Sequence, residues 1–286
     1  MRSRIFSERW EQIKTAYASR IGLREIALKP GTLCFECNVC GQKCLTDVRT
    51  LSREEGHCDA CGSFPRLRAI IAVLSRALFG ATLTIPEFPE RKTITGLGMS
   101  DLKSYATRLA TKFNYQNTHY HKAPRLDIST DNLPSELEGH HDFVISGDVF
   151  EHVRPPIARA FENVWKLLKP GGIFILTVPY GLGRDTVEHF PDLHQFTVVQ
   201  TNGEYRLRNI TREGLVQEFD NLVFHKSPGL ALEMRIFSES TLINHLKQAG
   251  FADIKVHRHA DLVHGIWWPE PWSLPISSRK RGGPAP

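Results

Sequence analysis

The sequence predicts an α/β protein: a doubly wound parallel sheet preceded by a small zinc-binding module. Three observations predict it. Six cysteines crowd between residues 34 and 61. From Lys92 onward, short apolar runs alternate with amphipathic stretches, the pattern of strands wrapped by helices. A glycine-bearing stretch, "ITGLGMSD" at 94–101, lies where the first such strand gives way to a helix.

The chain has 286 residues and 41% hydrophobic content, enough to bury one large core and a smaller satellite. Lysine and arginine number 36 against 31 acids, a net charge of +5. That balance is too mild to imply nucleic acid by itself. No apolar run approaches the roughly 18 residues that span a bilayer. The opening "MRSRIFSERWEQIK" lacks the apolar centre of a signal peptide. These features and the clustered cysteines predict a cytoplasmic protein. The expected organisation is a helical and zinc-knuckle module over 1–80, a main domain over 81–270 with a hairpin insertion near 196–209, and a C-terminal tail over 271–286 whose end, "SSRKRGGPAP", reads as disordered.

Residues 1–30 read as a basic helix. Cys37 and Cys40 then form C-x2-C followed by Gly41, and Cys58 and Cys61 form C-x2-C followed by Gly62. Two such knuckles, seventeen residues apart, supply the four thiolates of a closed tetrahedral zinc site, which is structural because no coordination position is left open. The run Cys34, Cys37, Cys40, Cys44 also fits a ferredoxin spacing. Leucine follows it in place of proline, and the second knuckle would stand idle, so zinc is the preferred reading. "PRLRAIIAVLSRALFG" places Leu67, Ile70, Ile71, Leu74 and Leu78 on one helical face, between Pro65 at its start and Gly80 at its end.

"KTITGL" reads as the first core strand and "SDLKSYATRLA" as a helix capped by Ser100. "KFNYQNT" and "HDFVISG" are strands. "PPIARAFENVWKLLKPGG" is a helix ended by Gly171, and "GIFILTVP" is a strand. Asn202-Gly203 in "FTVVQTNGEYRLRN" favours the tight turn of a hairpin. "SESTLINHLKQAGFADIKVHR" is a helix capped by Ser238 and stopped by Gly250, then a strand.

The stretch 94–101 is either a cofactor seat or a tight strand-to-helix turn. Gly96 and Gly98 let a ligand approach the backbone, and Ser100 lies at the following helix N-terminus. The acid that holds a ribose about 20 residues further on is replaced by Asn117 and Thr118. The G-x-G-x-x-G of nicotinamide enzymes is missing.

"LDIS", "FVISGDVFEHV" and "LLKPGGIFILTVP", in that order, resemble class I S-adenosylmethionine-dependent methyltransferases over about residues 91–259. "NTHYH", "LEMRIFSESTL" and "GIWWPEPWSLP" further resemble a bacterial subgroup with an N-terminal cysteine-rich segment. The resemblance implies a Rossmann-like sheet and S-adenosylmethionine as cofactor. Gly96, Gly98 and Ser100 would lie along its methionine part, and Asn117 and Thr118 would meet the ribose. Asp127 would bond the adenine amino group with Ile128 beside the ring. Asp148 would close the methionine end, with Glu151 and His152 facing the substrate. Two departures stand out: Gly96 where an acid is common, and no ribose acid.

For chemistry, His152 is the first candidate for removing an acceptor proton, with Glu151 to orient it; the bland alternative is a packing residue at a helix entry. His194, with Tyr180 and His189, can line an acceptor pocket. His189, Asp192 and His194 are a conceivable second metal set, although a solvated loop is the plainer reading. "WWPEPW" either stacks on a ligand or packs the C-terminus. The leading functional expectation is O-methylation of a small molecule or saccharide. The first alternative is RNA methylation, in which Arg66, Arg68 and Arg76 would meet phosphates. The first 30 residues add seven basic against three acidic side chains to that reading. The second alternative is a non-catalytic zinc-containing interaction protein on the same scaffold.

Overall fold

The computed structural model describes residues 31–225 and 231–282. The helix expected over 1–30 lies outside them. The cysteine segment opens with a hairpin of β1 (Thr32–Glu36) and β2 (Lys43–Asp47). Helix α1 (Pro65–Phe79) follows, with Pro65 in its first turn and Gly80 closing it in the left-handed conformation.

The main sheet contains β3 (Arg91–Met99), β4 (Phe113–Thr118), β5 (His141–Gly147) and β6 (Leu168–Thr177), all mutually parallel. Helix α2 (Lys103–Lys112) connects β3 to β4, and α3 (Ala158–Leu167) leads into β6. Between β6 and the C-terminal elements run β7 (Tyr180–Gly181), β8 (Val187–Glu188), β9 (Gln195–Thr201), β10 (Glu204–Ile210), β11 (Val216–Phe219) and β12 (Arg235–Ser238). Helix α4 (Glu239–Gln248), β13 (Phe251–Val256) and β14 (Ile276–Lys280) complete the chain. The six-stranded order is β13-β14-β6-β5-β3-β4, and β14 runs antiparallel to both neighbours.

Period-two alternation in the central strands builds two cores. Phe143, Ile145, Ile173 and Ile175 face α1 and α2, packing with Leu67, Ile70, Tyr105 and Leu109. Val144, Phe174 and Leu176 face the other way, onto Phe161, Val164, Leu242 and Leu246 of α3 and α4. This is the three-layer arrangement that a strand buried on both faces requires. A separate three-stranded meander, β9 to β11, covers a small core of Phe190, Leu207 and Met234. Its first turn is Asn202-Gly203, both at positive φ (53° and 86°), as a primed hairpin turn demands.

Several expectations are corrected. The cysteine module is not separated from the rest after residue 80: Leu33, Phe35, Cys37 and Val39 share one core with Phe113, Phe143 and Ile173. The tail expected to be disordered supplies β14, paired on both edges between β13 and β6. Its polar sequence hides a strand because the backbone ladders do the pairing, while Ile276 and Ser278 alone point into buried space. Ser100 does not cap α2, whose N-cap is Leu102 with no side-chain bond. Helix α3 ends at Leu167, and Gly171 falls inside β6.

His141, at the start of β5, is 8% exposed, and neither ring nitrogen has a hydrogen-bond partner. Burial, chiefly, pushes its pKa down to about 4. The unfolded chain therefore binds a proton at His141 between pH 6.5 and 4 that the fold does not. Stability contributed there is full above about pH 6.5 and is lost as pH falls toward 4, by at most about 3 kcal/mol. Replacing the residue, His141→Phe, is expected to flatten this acid limb in thermal melts recorded across that window; an unchanged slope contradicts the assignment.

Candidate functional site

The chain leaves β3 toward β4 on one side and enters β5 on the other, so the carboxyl ends of β3 and β5 flank the point where the winding reverses. Open α/β sheets bind ligands in that crevice. Two non-glycine residues at positive φ stand on its rims: Ser100 (56°) after β3 and Asp148 (54°) after β5. Such strain collects at functional turns.

The glycine stretch is not a loop over its whole length. Gly96 and Gly98 lie within β3. A Cβ at Gly96 would enter the Phe143 ring, and one at Gly98 would meet the Tyr115 hydroxyl and the Asp101 carboxylate. Both glycines are thus demanded by the protein's own packing. The turn beyond is braced from β4. Ser100 donates its backbone N–H to the Thr118 carbonyl (2.7 Å), and Asn117 bonds the Asp101 backbone twice, at 2.9 and 2.8 Å. The Thr118 hydroxyl donates to the Gly98 carbonyl (2.8 Å). The polar atoms of Asn117 and Thr118 therefore serve the turn's own backbone first. Behind them the buried Asp101 carboxyl accepts from Tyr115, and burial above all raises its pKa to about 7.

Asp148 meets residues that the sequence reading did not connect with it. Arg53 reaches both carboxylate oxygens (2.8 and 2.5 Å), Arg66 lies 3.2 Å away, and the Thr177 hydroxyl donates at 3.2 Å. Burial alone would raise the Asp148 pKa; the guanidinium groups of Arg53 and Arg66 outweigh it and hold the carboxylate below its usual range. Arg66 also bonds Glu54 (2.6 and 3.1 Å). The cysteine module thus delivers two arginines to the crevice. The only signal in sequence was their position between and just after the knuckles.

The same geometry removes the three arginines assigned to phosphate contacts. Arg66 is engaged as above. Arg68 is fully buried, donating to the carbonyls of Ser63, Gly56 and Gly265 while lying over Phe35. Arg76 pairs with Asp261 (2.6 Å).

Asp127 begins the turn after residues 119–126. Its Oδ1 accepts from the Ser129 N–H (2.9 Å) and hydroxyl (2.6 Å), and its Oδ2 lies 3.8 Å from Arg154. Ile128 is buried, and Asn163 of α3 donates to its carbonyl and to that of Thr130. Asn163 is a bracing residue that periodicity alone assigned to a helix face without a role.

The turn Phe150–His152 follows Asp148. The buried Arg235 fixes it by donating to the carbonyls of Phe150 (2.9 Å) and Val153 (2.5 Å) while pairing with Glu188 (2.7 Å). Glu151 is wholly buried, and neither carboxylate oxygen has a hydrogen-bond partner. His152 Nδ1 lies 2.9 Å from the Leu232 carbonyl, so Nδ1 carries the proton and Nε2 is a lone pair. Glu151 is 3.7 Å from that Nε2. The group that orients His152 is therefore the Leu232 carbonyl and not Glu151. Burial is the main cause that lowers the His152 pKa, leaving the ring neutral near pH 7.

The acceptor-side histidines are regrouped. His189 bonds Glu233 (3.0 Å), and His225 bonds the other Glu233 oxygen (2.8 Å). His194 is exposed, its backbone N–H held by Asn209, and Asp192 contacts Gln217. Among the described residues, His189, Asp192 and His194 do not come together as a metal set. Trp267 and Trp268 are buried in the two main cores, so "WWPEPW" packs the C-terminal segment. A cavity lined by Arg76, His257, Asp261 and both tryptophans lies by β13, at the edge of the sheet opposite β4.

The cysteine knuckles are two copies of one turn. Gly41 N–H bonds the Cys37 carbonyl and Gly62 N–H the Cys58 carbonyl, both at 2.7 Å. One sulfur of each of Cys37, Cys40, Cys58 and Cys61 lies within 4.8 Å of the others, with Cys37–Cys61 at 3.7 Å and Cys40–Cys58 at 3.6 Å. Thiolates about 2.3 Å from a tetrahedral zinc stand about 3.8 Å apart, so the donor set fits that ion without rearrangement. Cys44 contacts Cys58 at 3.4 Å from outside the quartet.

Residues 82–174, which include β3 to β5 and the Ser100 and Asp148 turns, match the family model described as a methyltransferase domain. No curated protein matches the chain. Among solved structures, the chain is similar to the 1,6-didemethyltoxoflavin-N1-methyltransferase of Burkholderia thailandensis, at 14% identity over 74% of this chain and 78% of that one, with a TM-score of 0.40. It is likewise similar to an S-adenosylmethionine-dependent methyltransferase of Clostridium acetobutylicum, at 15% identity over 74% and 98%, TM-score 0.39. An amino pentose methyltransferase of Micromonospora echinaspora aligns at 14% identity over 76% and 92%, TM-score 0.39.

Gly98→Ala is expected to destabilise the protein by about 1–3 kcal/mol through overpacking against Tyr115 and Asp101. Adding Tyr115→Phe should recover part of that loss in denaturant titrations. An additive double variant would show that the two positions do not meet. Arg235→Leu strands two buried carbonyls and Glu188, and is expected to cost about 2–4 kcal/mol by the same measurement.

Proposed function

We propose that the protein is an S-adenosylmethionine-dependent methyltransferase that methylates an oxygen of a small molecule or saccharide. The observation that carries this reading is the crevice between the ends of β3 and β5, rimmed by Ser100 and Asp148 inside the matched methyltransferase domain. A crevice offering one carboxylate and two guanidinium groups suits a zwitterionic amino-acid end. In this proposal the backbone from Gly98 to Ser100, with Asp148, takes the methionine part of the cofactor. Asn117 and Thr118 shape the ribose side, and Asp127 with Ile128 takes the adenine. Gly96, deeper in β3, has a packing role only.

Methyl transfer is an in-line displacement on an activated sulfonium, so the protein's main work is positioning. An alcohol acceptor must also lose its proton. His152, held by the Leu232 carbonyl with a free Nε2, is the proposed acceptor of that proton. Two sulfur pairs at tetrahedral spacing support a structural zinc held by Cys37, Cys40, Cys58 and Cys61. Cysteines grouped as metal ligands support a reducing, cytoplasmic setting. Among the described residues no helix is long and apolar enough to cross a membrane.

A second reading, a non-catalytic protein on this scaffold, is favoured by one observation: Arg53 already occupies Asp148, while Asn117 and Thr118 are committed to the turn. Calorimetry with S-adenosylmethionine, followed by transfer of labelled methyl into a metabolite extract, separates the two. The proposal expects binding, weakened about tenfold or more by Asp127→Ala, and labelled product whose rate falls with His152→Ala. No binding, or binding without any transfer, sinks the enzyme reading.

Because the knuckles share a core with the sheet, removing zinc by chelation, or Cys58→Ser, is expected to lower the melting temperature of the whole protein in one transition. Loss of the module alone, with an unchanged main transition, would contradict this.

A further inference from the structure

We propose that Glu151, His152 and His225 form a second metal site, for a first-row divalent transition ion, distinct from the cysteine quartet. One ligand atom from each residue lies within 4.8 Å of the others: Glu151 Oε1 is 3.7 Å from His152 Nε2 and 3.9 Å from His225 Nδ1. Ligands about 2.1 Å from a tetrahedral cation stand about 3.4 Å apart, so an inward shift of a few tenths of an ångström closes the set.

The hydrogen bonds around the three residues explain why their lone pairs converge. His152 spends its Nδ1–H on the Leu232 carbonyl, which leaves Nε2 facing Glu151. His225 Nε2 lies 2.8 Å from a Glu233 oxygen, and its Nδ1 is the nitrogen turned toward Glu151. Glu233 is itself bonded by His189 at 3.0 Å. Metal-binding imidazoles are held in this way, with the far nitrogen donating to a carbonyl or carboxylate that fixes tautomer and ring direction. The rings of His152 and His225 meet edge to face, 4.7 Å between centroids.

Glu151 is the independent sign of a missing partner. It is 0% exposed, and both of its oxygens lack a hydrogen bond. A buried carboxylate left this way costs several kcal/mol unless it is protonated or paired with a cation. No arginine or lysine contacts it in an ion pair among the described residues; the polar groups beside it are the two imidazoles. A divalent ion would balance the charges of Glu151 and Glu233 together. Two imidazoles and one carboxylate suit zinc, manganese or iron(II), not the all-oxygen shells of magnesium or calcium. Three protein ligands leave at least one position open.

The side chains of His152 and His225 are 19% and 33% exposed, so the site is reachable from solvent. There the ion would acidify a bound hydroxyl; with the metal present His152 serves as a ligand, and this replaces its role as the direct proton acceptor. This last role rests on the methyltransferase reading; the site itself does not.

The test is cobalt(II) titration of the full-length protein after metal removal, without S-adenosylmethionine, so that its result is independent of methyl transfer. Two equivalents are expected. One gives the strong near-ultraviolet thiolate-to-cobalt band of the cysteine quartet. The other adds only the weak visible bands of nitrogen and oxygen ligation. Glu151→Gln and His225→Ala should each abolish the second equivalent and keep the first, whose band reports that the variant is folded. Glu233→Gln should weaken the second by about ten- to a hundredfold. A single equivalent in the unaltered protein overturns the proposal, as does a second one that survives both Glu151→Gln and His225→Ala.

Discussion

Asp148 carries a negative charge into a largely buried position, and the arrangement around it depends on how that charge is met. Its backbone is strained into positive φ at the end of β5, and its carboxylate is held ionised by Arg53 and Arg66 against the cost of burial. Both arginines come from the cysteine-rich segment. The ion pairs therefore tie the metal module to the sheet at the place where a ligand would enter. This gives the module a reason to share a core with β3 and β5, and its knuckles a reason to be rigid. A loose module would leave the carboxylate unpaired, a penalty of several kcal/mol.

A second buried charge, Arg235, acts on the other side of the same turn. It holds the carbonyls of Phe150 and Val153 and thereby sets where Glu151 and His152 point. The stretch "LEMRIF" is thus a structural brace for "DVFEHV", although more than eighty residues separate them. Within that brace Met234 N–H bonds the Glu151 carbonyl and Leu232 orients the His152 ring. The proposed acceptor side is built from residues 150–153, 189, 225 and 232–235, with the β9–β11 meander falling between 189 and 225 along the chain. The crevice and the acceptor side meet at the five residues from Asp148 to His152, so their electrostatics are coupled. Burial first, then the Asp148 charge, pushes the Glu151 pKa well up.

Much of this was legible in the chain. Alternation of apolar residues located β3 to β6 and the helices between them, because a strand buried on both faces and a helix with one apolar stripe leave different periods. Asn202-Gly203 announced its turn, and Ser238 and Gly250 their helix, because these are local backbone requirements. The quartet of cysteines was readable because two short C-x2-C turns repeat the same spacing, and the fold brings their sulfurs together. What resisted reading was non-local. The strand in "ISSRK" has no apolar pattern of its own and exists because β6 and β13 pair with it. Gly96 and Gly98 also make room for Phe143 and Tyr115, a requirement that only side chains from neighbouring strands reveal.

The sequence by itself determined β3 to β6, the helices beside them, the Asn202-Gly203 turn and the grouping of the four knuckle thiols, since each follows from contacts among residues close along the chain. The tertiary structure alone decided which charges meet. It placed Arg53 and Arg66 on Asp148, buried Arg68 away from solvent, and turned His152 and His225, but not His194, toward Glu151. Electrostatic partners are chosen by distance in space and by the water excluded between them, and neither quantity is written in the spacing of residues along a chain.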